Sequence, residues 1–211
     1  MIDIGVVCEG SHDFIIIKEI VSKALRPAEV RCVPIQPIVD ATLLQVGTGG
    51  FSEVKIWCLQ NRGRKFFDQI KPGIFANSQV FDFIIVHLDG DVLEKSNWFS
   101  ATQVASGTGS VTNRISIIEQ WIHNAIAYSG SDELVSAIPV LSTDGWVLAG
   151  VRPTRNFELQ HCKKRLERYL KKFFGEHKAS SLARVMPHCA SNVTAARANN
   201  LSLDHFVGQL P

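Results

Sequence analysis

Along this chain of 211 residues, short apolar runs ended by polar or Gly-containing breaks alternate with longer stretches of helical periodicity. Residues 3–8 are the first such run and read as a buried strand that "EG" terminates. Ser11 stands where a helix cap is needed, and the helix is expected to reach about Leu25, with Pro27 closing it. A second strand is expected over 30–35, stopped by Pro34 and Pro37. The Gly-rich "VGTGG" leads to Ser52 as the cap of one helix running to about Ile70 and weakened at Gly63. "FDFIIVHL" is the clearest strand, and residues 92–110 after it are polar and rich in Gly, Ser and Thr. "TNRISIIEQWIHNAI" returns to helical spacing, "LVSAIPVL" reads as another strand, and "STDGWVLAGV" precedes mainly helix to the end. Strand and helix in alternation predict an α/β fold, a largely parallel sheet flanked by helices. There is no internal repeat, low-complexity tract or linker.

Length and a 45% hydrophobic content fit one domain over 1–211, with an acidic α/β core at 1–151 and a helical basic extension at 152–211. No run of about 18 apolar residues occurs, and "MIDIGVV" lacks the basic region that precedes a secretory segment, so the expectation is a soluble, cytoplasmic protein without a membrane partner. Five scattered cysteines without a C-x-x-C pair argue against a disulfide framework and against a zinc site. The formal net charge of +2 conceals an asymmetry. Between Arg152 and Arg197 there are 11 Lys and Arg against three Glu, a net of +8, whereas residues 1–151 carry a net of −5. An acidic front half suits a metal site, and a basic back half suits a polyanion such as nucleic acid, with Lys163 and Lys164 as candidate phosphate contacts. A solvated helix face, "KKRLERYLKK", is the plainer reading of the same charges.

Two acidic motifs carry candidate chemistry. Glu9 follows the first strand directly and Asp13 lies one helical turn further on; Asp89 and Asp91 flank Gly90 at the end of the clearest strand. Two acids in such a turn repel unless a cation, a base or water offsets them, and Gly90 permits close approach of a ligand. The plainer alternatives are an acid at the positive end of a helix, worth about 0.3–1 kcal/mol, and an ordinary turn composition. His87 lies inside a strand and is expected to pack or hydrogen-bond there. Trp98 and Phe99 fit either a base-stacking platform or a loop anchor. "VGTGG" lacks the Lys-Ser/Thr ending of a phosphate-binding loop.

Together, Glu9, Asp13, Asp89 and Asp91 resemble the Toprim pattern of topoisomerases, primases and overcoming-lysogenization-defect (OLD) nucleases: a Glu after the first strand, an acid four residues on, and Asp-x-Asp after a later strand. The rest is similar to small stand-alone Toprim-like proteins related to OLD nucleases. Their Ser-Thr-Glu-x-Trp-x-Leu segment corresponds to "STDGWVLAG", with Asp144 one methylene shorter than Glu. The resemblance implies a Toprim-like, Rossmann-like sheet and a nuclease dependent on magnesium or manganese, in a phage-defence or mobile-element setting. Asp89 and Asp91 would be primary metal ligands, Glu9 a ligand or general base, and Asp13 and Asp144 the rest of the shell. Lys178 would face the scissile phosphate and Arg197 would be a further phosphate contact. Carboxylate-held metal and a nearby Lys are what phosphodiester hydrolysis needs: an activated water and neutralised charge on phosphorus. Tyr128 and Tyr169 sit in no recognisable cleavage module, which argues against topoisomerase activity. Two other classes fit the motifs: a nucleic-acid-binding or regulatory subunit, and a D-x-D glycosyltransferase. The chain has no Walker motif, which leaves room for a separate ATPase partner, and it admits a homo-oligomer.

Overall fold

The computed structural model describes residues 1–40, 45–70, 80–128, 132–174 and 179–211. Its elements in chain order are β1 (Ile2–Val7), α1 (Ser11–Ala24), β2 (Val30–Gln36), α2 (Phe51–Gln60), α3 (Arg64–Ile70), β3 (Phe83–His87), α4 (Val92–Lys95), α5 (Ala101–Thr108) and α6 (Val111–Ile126). They continue with β4 (Leu134–Ala137), α7 (Asp144–Val151), α8 (Lys163–Phe174), α9 (Ala179–Ser191), α10 (Val193–Arg197) and α11 (Leu201–Gly208). The strands form one all-parallel sheet in the order β2-β1-β3-β4, with Val6 opposite Ile85 and Ile85 opposite Val135. This is a Rossmann-like α/β architecture.

Both faces of the sheet are covered, which is why its strands read as continuous apolar runs rather than as alternations. Ile4, Val6, Phe83, Ile85 and Val135 pack with α1, α7 and the C-terminal helices, while Val7, Ile84, Val86 and Leu134 pack with α2, α3 and α6. Leu166, Leu170, Val185 and Met186 belong to the same apolar cluster as Ile4 and Val6, so the basic C-terminal segment completes one face of the sheet's core. No helix of the described residues is long and apolar enough to cross a membrane.

Several local features differ from the sequence reading or add to it. β2 runs through Pro34 to Gln36, because it is an edge strand pairing only with β1 and can spare an amide; the register shifts beside it, between Val6 and Val7. The single helix expected over 52–70 is two helices, since Gly63 adopts φ +57° and donates its amide to Ile126 O at 2.7 Å. The segment 92–110 holds α4 and α5, the latter begun by a capping box between Ser100 and Gln103. Ser11 and Ser52 lie inside their helices rather than at the caps. Gly10 and Gly50 occupy those positions, and the Gly50 amide is fixed to Glu9 O at 2.7 Å.

Candidate metal centre

β1 and β3 are adjacent, yet the chain leaves β1 toward β2 on one side and leaves β3 toward β4 on the other. A crevice therefore opens at their carboxyl ends, where open parallel sheets place ligands. Glu9 and Asp89 each lie two residues beyond one of these strands. The Asp89 amide donates to Glu9 Oε1 at 2.7 Å. His87, the last residue of β3, is fully buried, with Nε2 3.3 Å from Asp89 Oδ1 but not aligned as a hydrogen bond. Neither of its ring nitrogens has a hydrogen-bond partner among the described residues. One ligand atom each from Glu9, His87 and Asp89 all lie within 4.8 Å of one another.

Charge in this small volume is costly. Burial, reinforced by Asp89, pushes Glu9 up to about 7. Burial also raises Asp89, although His87 opposes the shift. For His87 itself, burial favours the neutral ring, but Asp13, Asp89 and Glu9 together outweigh it and lift the imidazole to about 9. At neutral pH the ring is therefore an imidazolium, supplying among the carboxylates the positive charge that a metal ion would supply. A buried ring with no aligned hydrogen bond at either nitrogen, set between two carboxylates, fits a divalent cation once the ring gives up its proton, and a mixed nitrogen and oxygen donor set suits manganese as well as harder ions.

Asp13 and Asp144 are tied to this group from α1 and α7. Thr143 joins Asp13 to Asp89: its hydroxyl donates to Asp13 Oδ1 at 2.6 Å and its amide to Asp89 Oδ1 at 3.3 Å. Asp144 opens α7, and burial together with Asp89 and Asp13 raises it to about 6. A cleft of about 640 Å³ is bordered by Asp13, Asp89, Asp91, Asp144, Lys95 and Lys163, among others; Glu9 and His87 do not border it.

The Asp-Gly-Asp pair is divided. Asp91 lies at the start of α4, where Lys95, four residues on, meets its Oδ2 at 2.5 Å, and it is outside the triplet that His87 joins. Gly90 serves packing and not ligand approach: a Cβ there would meet Val140 O at 2.1 Å and Pro139 O at 2.4 Å. Lys164 is exposed and does not border the cleft. Arg197, on α10, donates from Nε to Asp204 Oδ1 at 2.7 Å and is likewise away from the cleft. Lys178 lies outside the described residues.

The chain matches no family model, no curated protein and no solved structure.

His87, Thr143 and Arg114 are the contributors that the motifs did not single out. His87 and Asp89 are two positions apart at a strand end, a spacing that places side chains on one side. Thr143 is legible only as a polar residue beside Asp144. Arg114, buried on α6, donates to Gly90 O at 2.9 Å, Val140 O at 3.3 Å and Gly107 O at 3.3 Å, and pairs with Glu94, so it braces the loop carrying both aspartates. Trp98 stacks on Trp121 with centroids 4.5 Å apart and Phe99 is buried, which makes them loop anchors.

Proposed function

We propose that this protein is a divalent-metal-dependent nuclease of the Toprim-like kind, acting on nucleic acid in the cytoplasm. The observation that carries the reading is the meeting of Glu9 and Asp89 at the crevice between β1 and β3, with a buried His87 that makes no aligned hydrogen bond against them. Glu9, His87 and Asp89 would hold magnesium or manganese, which supplies Lewis-acid stabilisation of a phosphoryl oxygen and an acidified water.

The chain's own residues do the remainder. Asp144 borders the cleft, and with its carboxyl raised to about 6 it is mostly ionised at neutral pH yet basic enough to accept a proton from water. The water oxygen then bonds to phosphorus, the bond to the leaving oxygen breaks, and that oxygen takes a proton from solvent. Lys163, whose charge acts on Asp144 and which borders the same cleft, faces the phosphate. Thr143 holds Asp13 and Asp89 in place.

A nucleic-acid-binding subunit of a larger, ATPase-containing assembly is the second reading, favoured by the engagement of Asp91 with Lys95, which withdraws one carboxylate of the motif. Purified protein incubated with labelled single- and double-stranded DNA and RNA, in manganese, magnesium or EDTA, decides between them. Metal-dependent cleavage that disappears in Asp89→Ala is expected. Intact substrates under all conditions would favour the subunit.

A further inference from the structure

We infer that a second cleft, across α8 from the carboxylates, binds single-stranded nucleic acid. It has a volume of about 530 Å³ and is bordered by Arg152 after α7 and by Arg165, Arg168 and Lys172 of α8. Among the described residues no carboxylate borders it, and none of these four cations forms an ion pair with a carboxylate. Lys163 and Glu167 border the carboxylate cleft, whereas Arg165, Arg168 and Lys172 border this one, so α8 is a wall with a different cleft on each side.

The aromatic side chains define the ligand further. Tyr169 and Phe173 have ring centroids 4.6 Å apart at 40°, and Phe173 is 59% exposed. Lys172 Nζ lies 5.4 Å from the Phe173 ring, and the Arg165 guanidinium 5.5 Å from that of buried Phe157. A groove that combines cations for a phosphate backbone with an exposed aromatic ring, Phe173, and a partly buried one beside it, Tyr169, has the composition of a single-strand site. A duplex keeps its base faces stacked internally and would leave Phe173 uncovered. A mononucleotide would engage only part of the row, because Arg165 and Lys172 are about 10 Å apart along the helix at 1.5 Å per residue. A strand presents several phosphates and unpaired bases together.

The nuclease proposal and this one share a ligand class but no carboxylate, so binding is measured in EDTA, with cleavage silent. The probe is a fluorescent 12-nucleotide oligothymidylate titrated with the full chain, and affinity is followed by anisotropy across salt. Wild-type affinity should fall with salt by about 0.7 log units per log unit for each phosphate neutralised. The double variant Arg168→Glu, Lys172→Glu should bind at least about tenfold more weakly with a shallower slope. Phe173→Ala, at an exposed position where folding is not at stake, should lose about tenfold without changing the slope. Unchanged affinity in both variants would overturn the site. So would a duplex of equal length binding as tightly as the strand, or adenosine monophosphate displacing the strand at equal nucleotide concentration. Strand binding without cleavage in manganese would sink only the nuclease reading; cleavage with unaltered binding in the variants would sink only this one.

Discussion

The backbone amide of Asp89 donates to Oε1 of Glu9, a residue 80 positions earlier, at 2.7 Å. The bond closes the carboxyl ends of β1 and β3 over one another and gives a half-buried carboxylate one of the few donors near it. It is also why Glu9 cannot swing away from Asp89 to relieve the repulsion between them. Strain of that electrostatic kind is relieved by a cation.

Glu9→Gln keeps an acceptor for the Asp89 amide and removes the charge. The variant should be more stable than wild type without metal and should bind manganese at least about 10–100-fold more weakly, the range seen when groups supporting a metal site are lost. Thermal melting and isothermal titration check the two halves. Manganese affinity equal to wild type would place the cation elsewhere.

Stability without metal should decline continuously as pH rises from 5 to 9. Glu9, raised to about 7, and Asp144, raised to about 6, destabilise the fold as they ionise, over windows that begin near their ordinary values of 4.5 and 3.8. His87, raised to about 9, contributes stability that is complete below 6.5 and lost between 6.5 and 9. All three slopes have the same sign, and His87→Asn should remove the imidazole's own contribution above 6.5 while raising Glu9 and Asp89 further, because the positive charge that opposes their shifts is lost. Melting temperatures measured across this range, with and without manganese, test it; a flat or rising metal-free profile contradicts the burial of charge. Because metal must displace the His87 proton, manganese affinity should rise over the same upper window.

Gly90→Ala places a methyl group where two backbone carbonyls already lie. The loop must move, at a cost of about 1–3 kcal/mol, or a melting temperature lower by about 2–12 °C in a chain of this size. Arg114→Ala should cost at least as much, about 1–3 kcal/mol, since it takes a charged donor from three backbone carbonyls, whereas the exposed Glu94 is rehydrated. Both variants should also weaken manganese binding by displacing Asp89. A Gly90→Ala protein with wild-type stability would mean that the loop can open toward solvent.

Local order was legible in the chain itself. Apolar runs 3–8 and 81–88 announced strands buried on both faces, and the acids at their ends could be assigned to one sheet edge from residue order alone, because a strand's end and an alternating α/β order are properties of short segments. Element ends were less legible: Gly63 splits a helix through its own backbone freedom and a bond to Ile126, and Pro34 is tolerated only because β2 is an edge strand. Membership of the site, in contrast, depends on long-range packing. Asp91 and Asp89 are equivalent candidates in the motif, and it is the turn into α4 that sets Asp91 against Lys95, while His87, which a strand could simply have packed, becomes a neighbour of Glu9. Thr143 joins Asp13 to Asp89 across a separation that no spacing rule spans. The physical reason is that backbone propensity is settled among neighbours in sequence, whereas burial, hydrogen-bond partners and the charges that set a pKa come from whichever distant segments the packed sheet brings together.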